Sequence, residues 1–119
     1  MTNATREHGP QPLTGMIDDW SLTHHDLVEA SPEQLTHKQV QRAAKGRRLT
    51  LAMMQKVTRA LNIAIWYRLE KPERERYFEY LHRHLFNYAK GHDPHFDDPN
   101  RELMQNVRQR EAKIISLEA

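Results

Sequence analysis

Cysteine is absent from the 119-residue sequence, and glycine occurs only four times. Without cysteine the chain has no disulfide framework, no thiolate metal site and no cysteine nucleophile. Four glycines leave little room for a phosphate-cradling loop or a dinucleotide-binding fingerprint, and the sequence contains no nucleophile elbow. These absences predict that the protein is not an enzyme and carries no cofactor.

Long apolar runs are also absent. No stretch reaches the length of about eighteen apolar residues that a membrane helix needs, and the first fifteen residues lack the apolar core of a signal peptide. The sequence therefore predicts a soluble protein without a membrane segment, and the missing cysteines are compatible with a cytoplasmic location. The high charged fraction of 29% suits a small helical protein better than a β-sandwich, which would be richer in β-branched residues.

Acidic residues are missing from one long internal stretch, although the whole chain has 18 basic and 16 acidic residues. Between Gln34 and Leu69 lie eight Lys or Arg residues and no Asp or Glu. Setting these eight aside leaves ten basic against sixteen acidic residues, so a segment of charge +8 lies within a body of charge −6. Such asymmetry indicates a polyanionic partner, and nucleic acid is the commonest one.

Turn and capping residues divide the chain into three parts. Residues 1–15 contain two prolines and two glycines with little apolar periodicity, which predicts a flexible arm. Residues 16–70 carry helical periodicity and form the first predicted unit. Residues 71–119 are predicted to add two helices, the first running up to Gly91 and the second starting after Asp98. The predicted fold class is all-α.

The clearest predicted helix spans residues 37–45. Thr36 is placed to cap its N-terminus, and Gly46 stands where a glycine commonly ends a helix. Thr50 is placed to cap the next helix, "LAMMQKVTRALN", and Asn62 is a candidate for its end in a left-handed cap. The apolar segment "IAIWYRL" that follows either extends this helix or forms one short buried segment, and the sequence leaves this open.

The side chains of helix 37–45 separate into two faces. At about 100° per residue, the small apolar residues fall on one side, namely Val40, Ala43 and Ala44. The opposite side carries only long polar or basic side chains, namely Lys38, Gln41, Arg42 and Lys45. Lys and Arg can pair with guanine, and Gln with adenine, in the major groove. Arg47 and Arg48 follow at the flank of the helix, where phosphate oxygens would lie.

The segment "LTHKQVQRAAKGRRLT" resembles the recognition-helix region of the lambda-repressor-like helix-turn-helix family, which includes phage repressors and Cro-type regulators. The family pattern is an apolar residue, Ser or Thr, three variable positions, an apolar residue, a polar residue often followed by Arg, a Gly, two basic residues and a Ser/Thr cap. The matching positions are Leu35, Thr36, His37, Lys38, Gln39, Val40, Gln41, Arg42, Gly46, Arg47, Arg48 and Thr50. The resemblance covers roughly residues 22–62 and is moderately specific.

The resemblance implies sequence-specific binding of double-stranded DNA by a small transcriptional regulator. The bases would be read by His37, Lys38 and Gln41, and phosphates would be held at Thr36, Lys45, Arg47 and Arg48. The helical spacing of about 100° per residue also places Arg42 on the outer, DNA-facing side of the helix, and it places His37 nearer the inner side. The alternative is a protein-interaction module, such as an antitoxin-like or anti-activator subunit, whose basic face docks on an acidic partner. An RNA binder is less favoured, because the aromatic residues lie outside the basic segment.

Two further features admit more than one interpretation. The loop "HDPHFDD" offers His and Asp ligands, but surface loops of this composition are common, and we expect no metal site. The aromatic run "YFEYLHRHLFNY" favours packing against the helix-turn-helix unit, and homodimerisation stays open because the family often binds two half-sites as a dimer.

Overall fold

The computed structural model describes residues 8–118, with side chains as far as Ile114. The described part of the chain is all-helical. Its helices are α1 (Pro12–Asp19), α2 (His24–Ala30), α3 (His37–Lys45), α4 (Leu51–Arg68), α5 (Lys71–Arg74), α6 (His82–Leu85) and α7 (Arg101–Glu118). None of these helices combines the length and apolarity that are needed to cross a bilayer.

Helix α4 forms the centre of the fold. Thr50 caps its N-terminus by accepting a hydrogen bond from the Met53 amide at 3.1 Å, as the sequence predicts. Val57, Leu61 and Ile65 recur every four residues and are fully buried, so they form an apolar stripe along the helix. Helix α2 packs along α4, and α3 contacts both of them. The α3 helix is therefore supported from behind by two other helices.

The N-terminal and C-terminal parts of the chain share one core. Trp20, just after α1, is fully buried, and its indole N–H donates to the Tyr80 hydroxyl at 3.2 Å. The Tyr80 hydroxyl in turn donates to the Asp98 carboxylate at 2.8 Å. Leu103 and Val107 of α7 are also buried in the same apolar cluster. The C-terminal region thus completes the core around α1 and α4.

The arm predicted over residues 1–15 differs from the structure in its second half. Helix α1 begins at Pro12, and Leu13 is fully buried. The Gln11 side chain donates to the carbonyl of Gly9 at 2.9 Å and accepts the amide of Asn87 at 2.8 Å. Residues 8–15 are therefore held by a proline-started helix and by polar contacts, while residues 1–7 of the predicted arm lie outside the described residues.

The two helices predicted for residues 71–119 are replaced by three, because the first is interrupted. Residues between α5 and α6 are not helical, and Phe78 and Leu81 of the predicted apolar stripe are each 44% exposed. The physical reason is that two asparagine side chains bind the backbone of this segment. Asn100 bonds both the N–H and the C=O of Phe78, at 2.9 and 2.7 Å. Asn62 does the same for Tyr80, at 2.9 Å each.

Asn62 does not end α4 in a left-handed cap, and of the two possibilities that the sequence leaves open for the apolar segment after it the structure has the helical extension. The helix continues to Arg68, because the apolar residues after Asn62 keep the helical period and bury Ile65. The Asn62 side chain remains inside the helix and uses its amide for Tyr80 rather than for a cap.

Candidate nucleic-acid interface

Helix α3 is delimited by capping contacts at both ends, as the sequence predicts. The Thr36 hydroxyl accepts the Gln39 amide at 3.1 Å, and the Gln39 side chain accepts the Thr36 amide at 3.0 Å, which completes a capping box. At the other end Gly46 has a left-handed φ of 89°. The Arg47 amide then bonds back to the carbonyl of Arg42 at 3.1 Å. These contacts fix where α3 starts and stops.

The two faces of α3 lie as the sequence predicts. Val40 and Ala43 are fully buried, and Ala44 is half-buried with its carbonyl accepting the Thr14 hydroxyl of α1 at 3.2 Å. The side chains on the opposite face are exposed, namely Lys38, Gln41, Arg42 and Lys45. A small buried side chain at Ala43 lets α3 approach its neighbours closely, while the outer face presents only long polar or basic groups to solvent.

His37 differs from the other residues of the candidate set. It is the first residue of α3 and is exposed, but it faces His25 of α2. The two rings are stacked with centroids 5.3 Å apart, and His25 Nδ1 lies 3.2 Å from His37 Nε2. One ring nitrogen must donate and the other accept in such a pair. His37 is therefore placed at the edge of the face, in contact with α2, and Thr36 is used for the cap.

Arg47 and Arg48 lie in the loop between α3 and α4, and this loop is held by Tyr88. The Tyr88 hydroxyl accepts the Leu49 amide at 3.0 Å and donates to the Arg47 carbonyl at 3.2 Å. Burial raises the pKa of the Tyr88 hydroxyl, so this group stays protonated and able to donate. This role of Tyr88 is not predictable from the sequence, because nothing near Tyr88 in sequence identifies a partner 41 residues earlier.

The N-terminal segment crosses the same loop. The His8 amide donates to the Gly46 carbonyl at 2.7 Å, and the His8 ring stacks on Tyr88 with centroids 4.1 Å apart. Gly9 lies directly against Gly46. The C-terminal end of α3 and the loop after it are thus held in place by the His8–Gly9 segment and by Tyr88, both of which are distant from α3 in sequence.

Not all of the acid-free stretch is available to a partner. Arg59 forms a bidentate ion pair with Glu33, in which Nε and Nη2 of the arginine lie 2.7 and 3.0 Å from the two carboxylate oxygens. The hydrogen bond from Arg59 lowers the pKa of the Glu33 carboxyl. Arg68 is held between Asp26 at 3.3 Å and Glu111 at 2.8 Å. Two of the eight basic residues are therefore neutralised by acids that lie just outside the stretch or far from it.

Within the described residues, four other basic side chains of the candidate set are not neutralised in this way. No ion pair within the described residues involves Lys38, Arg42, Lys45 or Arg48. Together with Gln41 they form a contiguous surface from α3 into the loop before α4, which we call the α3 surface. The positive charge of the α3 surface is exposed to solvent.

The His and Asp residues of the loop after α6 have other partners. His92 Nδ1 lies 2.7 Å from the Arg83 carbonyl, Asp97 accepts from Arg101 at 2.7 Å, and Asp98 accepts the Tyr80 hydroxyl. His84 is buried and stacks on Phe96 with centroids 4.1 Å apart. Across the described part of the chain, no three His, Asp or Glu side chains come together in an arrangement that could hold a metal ion.

Comparison with known proteins gives no family assignment: no family model, no curated protein and no solved structure matches the chain. The class that the structure itself defines is an all-helical protein with an exposed basic helix.

Proposed function

We propose that the protein binds double-stranded DNA through the α3 surface and acts as a small transcriptional regulator of the helix-turn-helix kind. The observation that carries this proposal is the exposed outer face of α3, where Lys38, Gln41, Arg42 and Lys45 form a row without an acidic residue. Long basic and amide side chains on one helix face can reach base edges in the major groove. The packing of α2 and α4 behind α3 leaves this face accessible.

The residues of the α3 surface divide into two roles in this proposal. Lys38 and Gln41 lie toward the N-terminal half of α3, where recognition helices contact bases. Lys45 and Arg48 lie at its C-terminal end and in the following loop, where contacts to phosphate fix the register on the duplex. His37 is assigned to the edge of the interface, because its ring contacts His25.

The test is fluorescence anisotropy of the full chain with a random-sequence duplex at several salt concentrations. We expect the logarithm of the binding constant to fall linearly with the logarithm of salt, with a slope equivalent to roughly three to six phosphate contacts. Replacing Arg48→Ala should weaken binding to all sequences alike and reduce the slope by about one contact. The exposed Lys71 at the start of α5 gives the matched control, and Lys71→Ala should change neither quantity.

Specificity is tested by selecting a preferred duplex from a random pool. Lys38→Ala should then change which base is preferred at one position, with a loss of about 1–3 kcal/mol on the selected sequence. Absence of binding even at low salt would contradict the proposal. The exposed basic face would then be a candidate dock for an acidic protein partner, which is the alternative function.

A further inference from the structure

A cleft of about 800 Å³ lies beside the α3 surface. Its walls are the loop from Arg47 to Thr50, the first turn of α4, and the chain from α6 to Lys90. The volume is within the range of about 300–1,000 Å³ that is typical of small-molecule sites. The cleft is separate from the outer face of α3, although it shares Arg48 with the α3 surface.

The apolar part of the cleft lining, which we call the floor, is aliphatic. Its apolar lining residues are Leu49, Leu51, Met54 and Ala89. Leu51 is 54% exposed although it is the first residue of α4, so its side chain contributes apolar surface to the cleft rather than to the core. Unbranched aliphatic groups fit a floor of this kind, because the flexible side chain of Met54 can adapt to them.

The charged part of the cleft lining, which we call the rim, is cationic. Arg47, Arg48 and Lys90 line it together with His82, and no carboxylate is among the described residues that line it. Neither Arg48 nor Lys90 takes part in any ion pair of the residues that the structure describes. An anion at the rim would therefore meet positive charge from Arg48 on one wall and Lys90 on the other, with no carboxylate among the described lining residues.

The two walls are tied together across the cleft. Tyr88 belongs to the wall that follows α6, and its hydroxyl bonds the backbone of Arg47 and Leu49 in the opposite wall. These two hydrogen bonds limit the movement of the walls relative to each other, and fixed walls reduce the entropy that is lost on binding.

We propose that this cleft binds an organic anion with an unbranched aliphatic body, either a medium-chain carboxylate or an alkyl phosphate. The anionic head lies between Arg48 and Lys90, and the chain lies over Leu49, Leu51 and Met54. Binding requires both an aliphatic chain and a negative charge. The apolar floor contacts the chain, and the cationic rim contacts the charged head.

A regulatory consequence follows, and this step rests on the proposed function. Arg48 is expected to contact phosphate when DNA is bound and the anionic head when the cleft is filled. Both contacts use the guanidinium group of Arg48, so the ligand and DNA compete for it. Each therefore lowers the apparent affinity of the protein for the other by the same factor.

The experiment is isothermal titration calorimetry of the full chain with four compounds of equal chain length, kept below their aggregation concentrations. These are decanoate, decyl phosphate, decanol and decyltrimethylammonium. We expect one molecule of at least one of the two anions to bind per chain, about tenfold or more tighter than decanol, with no binding of the cation. The tighter of the two anions identifies whether the head group is a carboxylate or a phosphate.

Variants locate the site. Arg48→Gln and Lys90→Gln should each weaken binding of the anion by about tenfold, whereas Lys38→Gln removes the same charge outside the cleft and should leave it unchanged. Leu51→Ala should also weaken binding. The matched control is Ile114→Ala on α7, where a side chain of similar exposure, 49%, is removed away from the cleft. Failure of both anions to bind, equal binding of decanol, or unchanged binding in the Arg48→Gln, Lys90→Gln double variant would overturn the proposal.

The competition step is tested separately by adding the bound anion to the anisotropy assay. If the duplex binds and the anion displaces it, both proposals are supported. If the duplex binds and saturating anion leaves its affinity unchanged, competition is overturned while the function stands. If no duplex binds, the function fails, and the calorimetric result alone decides whether the cleft is a ligand site.

Discussion

Gly46 ends the helix that carries the proposed DNA contacts, and it does so under two independent restraints. Its φ of 89° lies in the left-handed region, which disfavours residues with a side chain. In addition, a Cβ atom built on Gly46 would lie 1.8 Å from the carbonyl oxygen of Gly9. The first restraint comes from the local backbone, and the second comes from Gly9, which lies 37 positions earlier in the chain.

Replacing Gly46→Ala should therefore destabilise the protein by more than the roughly 1–2 kcal/mol expected for a left-handed alanine alone, because the His8–Gly9 segment must also move. The matched control is Gly15→Ala in α1, where a Cβ would meet no atom within 4 Å. That substitution should stabilise the helix by up to about 1 kcal/mol. Urea unfolding followed by circular dichroism measures both. Equal stability of Gly46→Ala and the unsubstituted protein would show that the Gly9 contact is easily displaced.

Residues whose partners are near in sequence could be predicted from the sequence. Thr36 and Gly46 act over three or four positions, and the sequence predicts the cap and the end of α3 that the structure contains. The role of Tyr88 could not be predicted in this way, because its partner Arg47 is 41 residues away. The acid-free stretch was likewise only partly informative, since Arg68 finds its ion-pair partner Glu111 far along the chain.

At the level of elements, the segment between α5 and α6 shows why periodicity alone fails. The apolar spacing of residues 71–91 is helical, yet backbone groups of Phe78 and Tyr80 are bound by Asn100 and Asn62, which lie 22 and 18 residues away. Asparagine side chains offer a donor and an acceptor in the arrangement of a peptide group. They therefore compete with helix formation in a way that no local pattern indicates.

Asn62→Leu tests this account of the C-terminal region. The substitution keeps α4 helical but removes both bonds to the Tyr80 backbone and the bond that Asn62 accepts from the Tyr77 hydroxyl. Since these groups are largely buried, we expect a loss of about 1–3 kcal/mol in the free energy of unfolding. Gln55→Leu, at an exposed position of the same helix, should change stability by no more than about 0.5 kcal/mol. A loss no larger than that of the control would contradict the account.

For the whole molecule, the ion pairs of the described residues lie away from the outer face of α3. The arginines in these pairs are Arg59, Arg68, Arg76, Arg101, Arg108 and Arg110. The α3 surface keeps its charge, while the rest of the chain carries the acidic excess. A charge distribution of this kind orients a protein as it approaches a polyanion and raises the rate of productive encounter at low salt.

Homodimerisation, which the sequence leaves open, stays untested at this scale, and the structure allows a prediction of it. Exposed apolar side chains occur at the C-terminal end of α4 and on α7, including Tyr67 at 71% and Ile114 at 49%. Burying such side chains between two copies would be favourable. Light scattering at micromolar concentrations should then give twice the chain mass of 14.1 kDa, and Tyr67→Ser should shift it toward the single chain. A mass of one chain for the unsubstituted protein would contradict the prediction.

Helix α4 separates the proposed binding surface from a position where a fluorescent label can be attached. Its 18 residues span about 27 Å, with the Arg48 loop at one end and the ion pair between Arg68 and Glu111 at the other. Because the sequence contains no cysteine, replacing the exposed Lys113 by cysteine creates a single reactive thiol near the far end. A fluorophore attached there reports on binding by the intact protein without touching the surface that is proposed to bind.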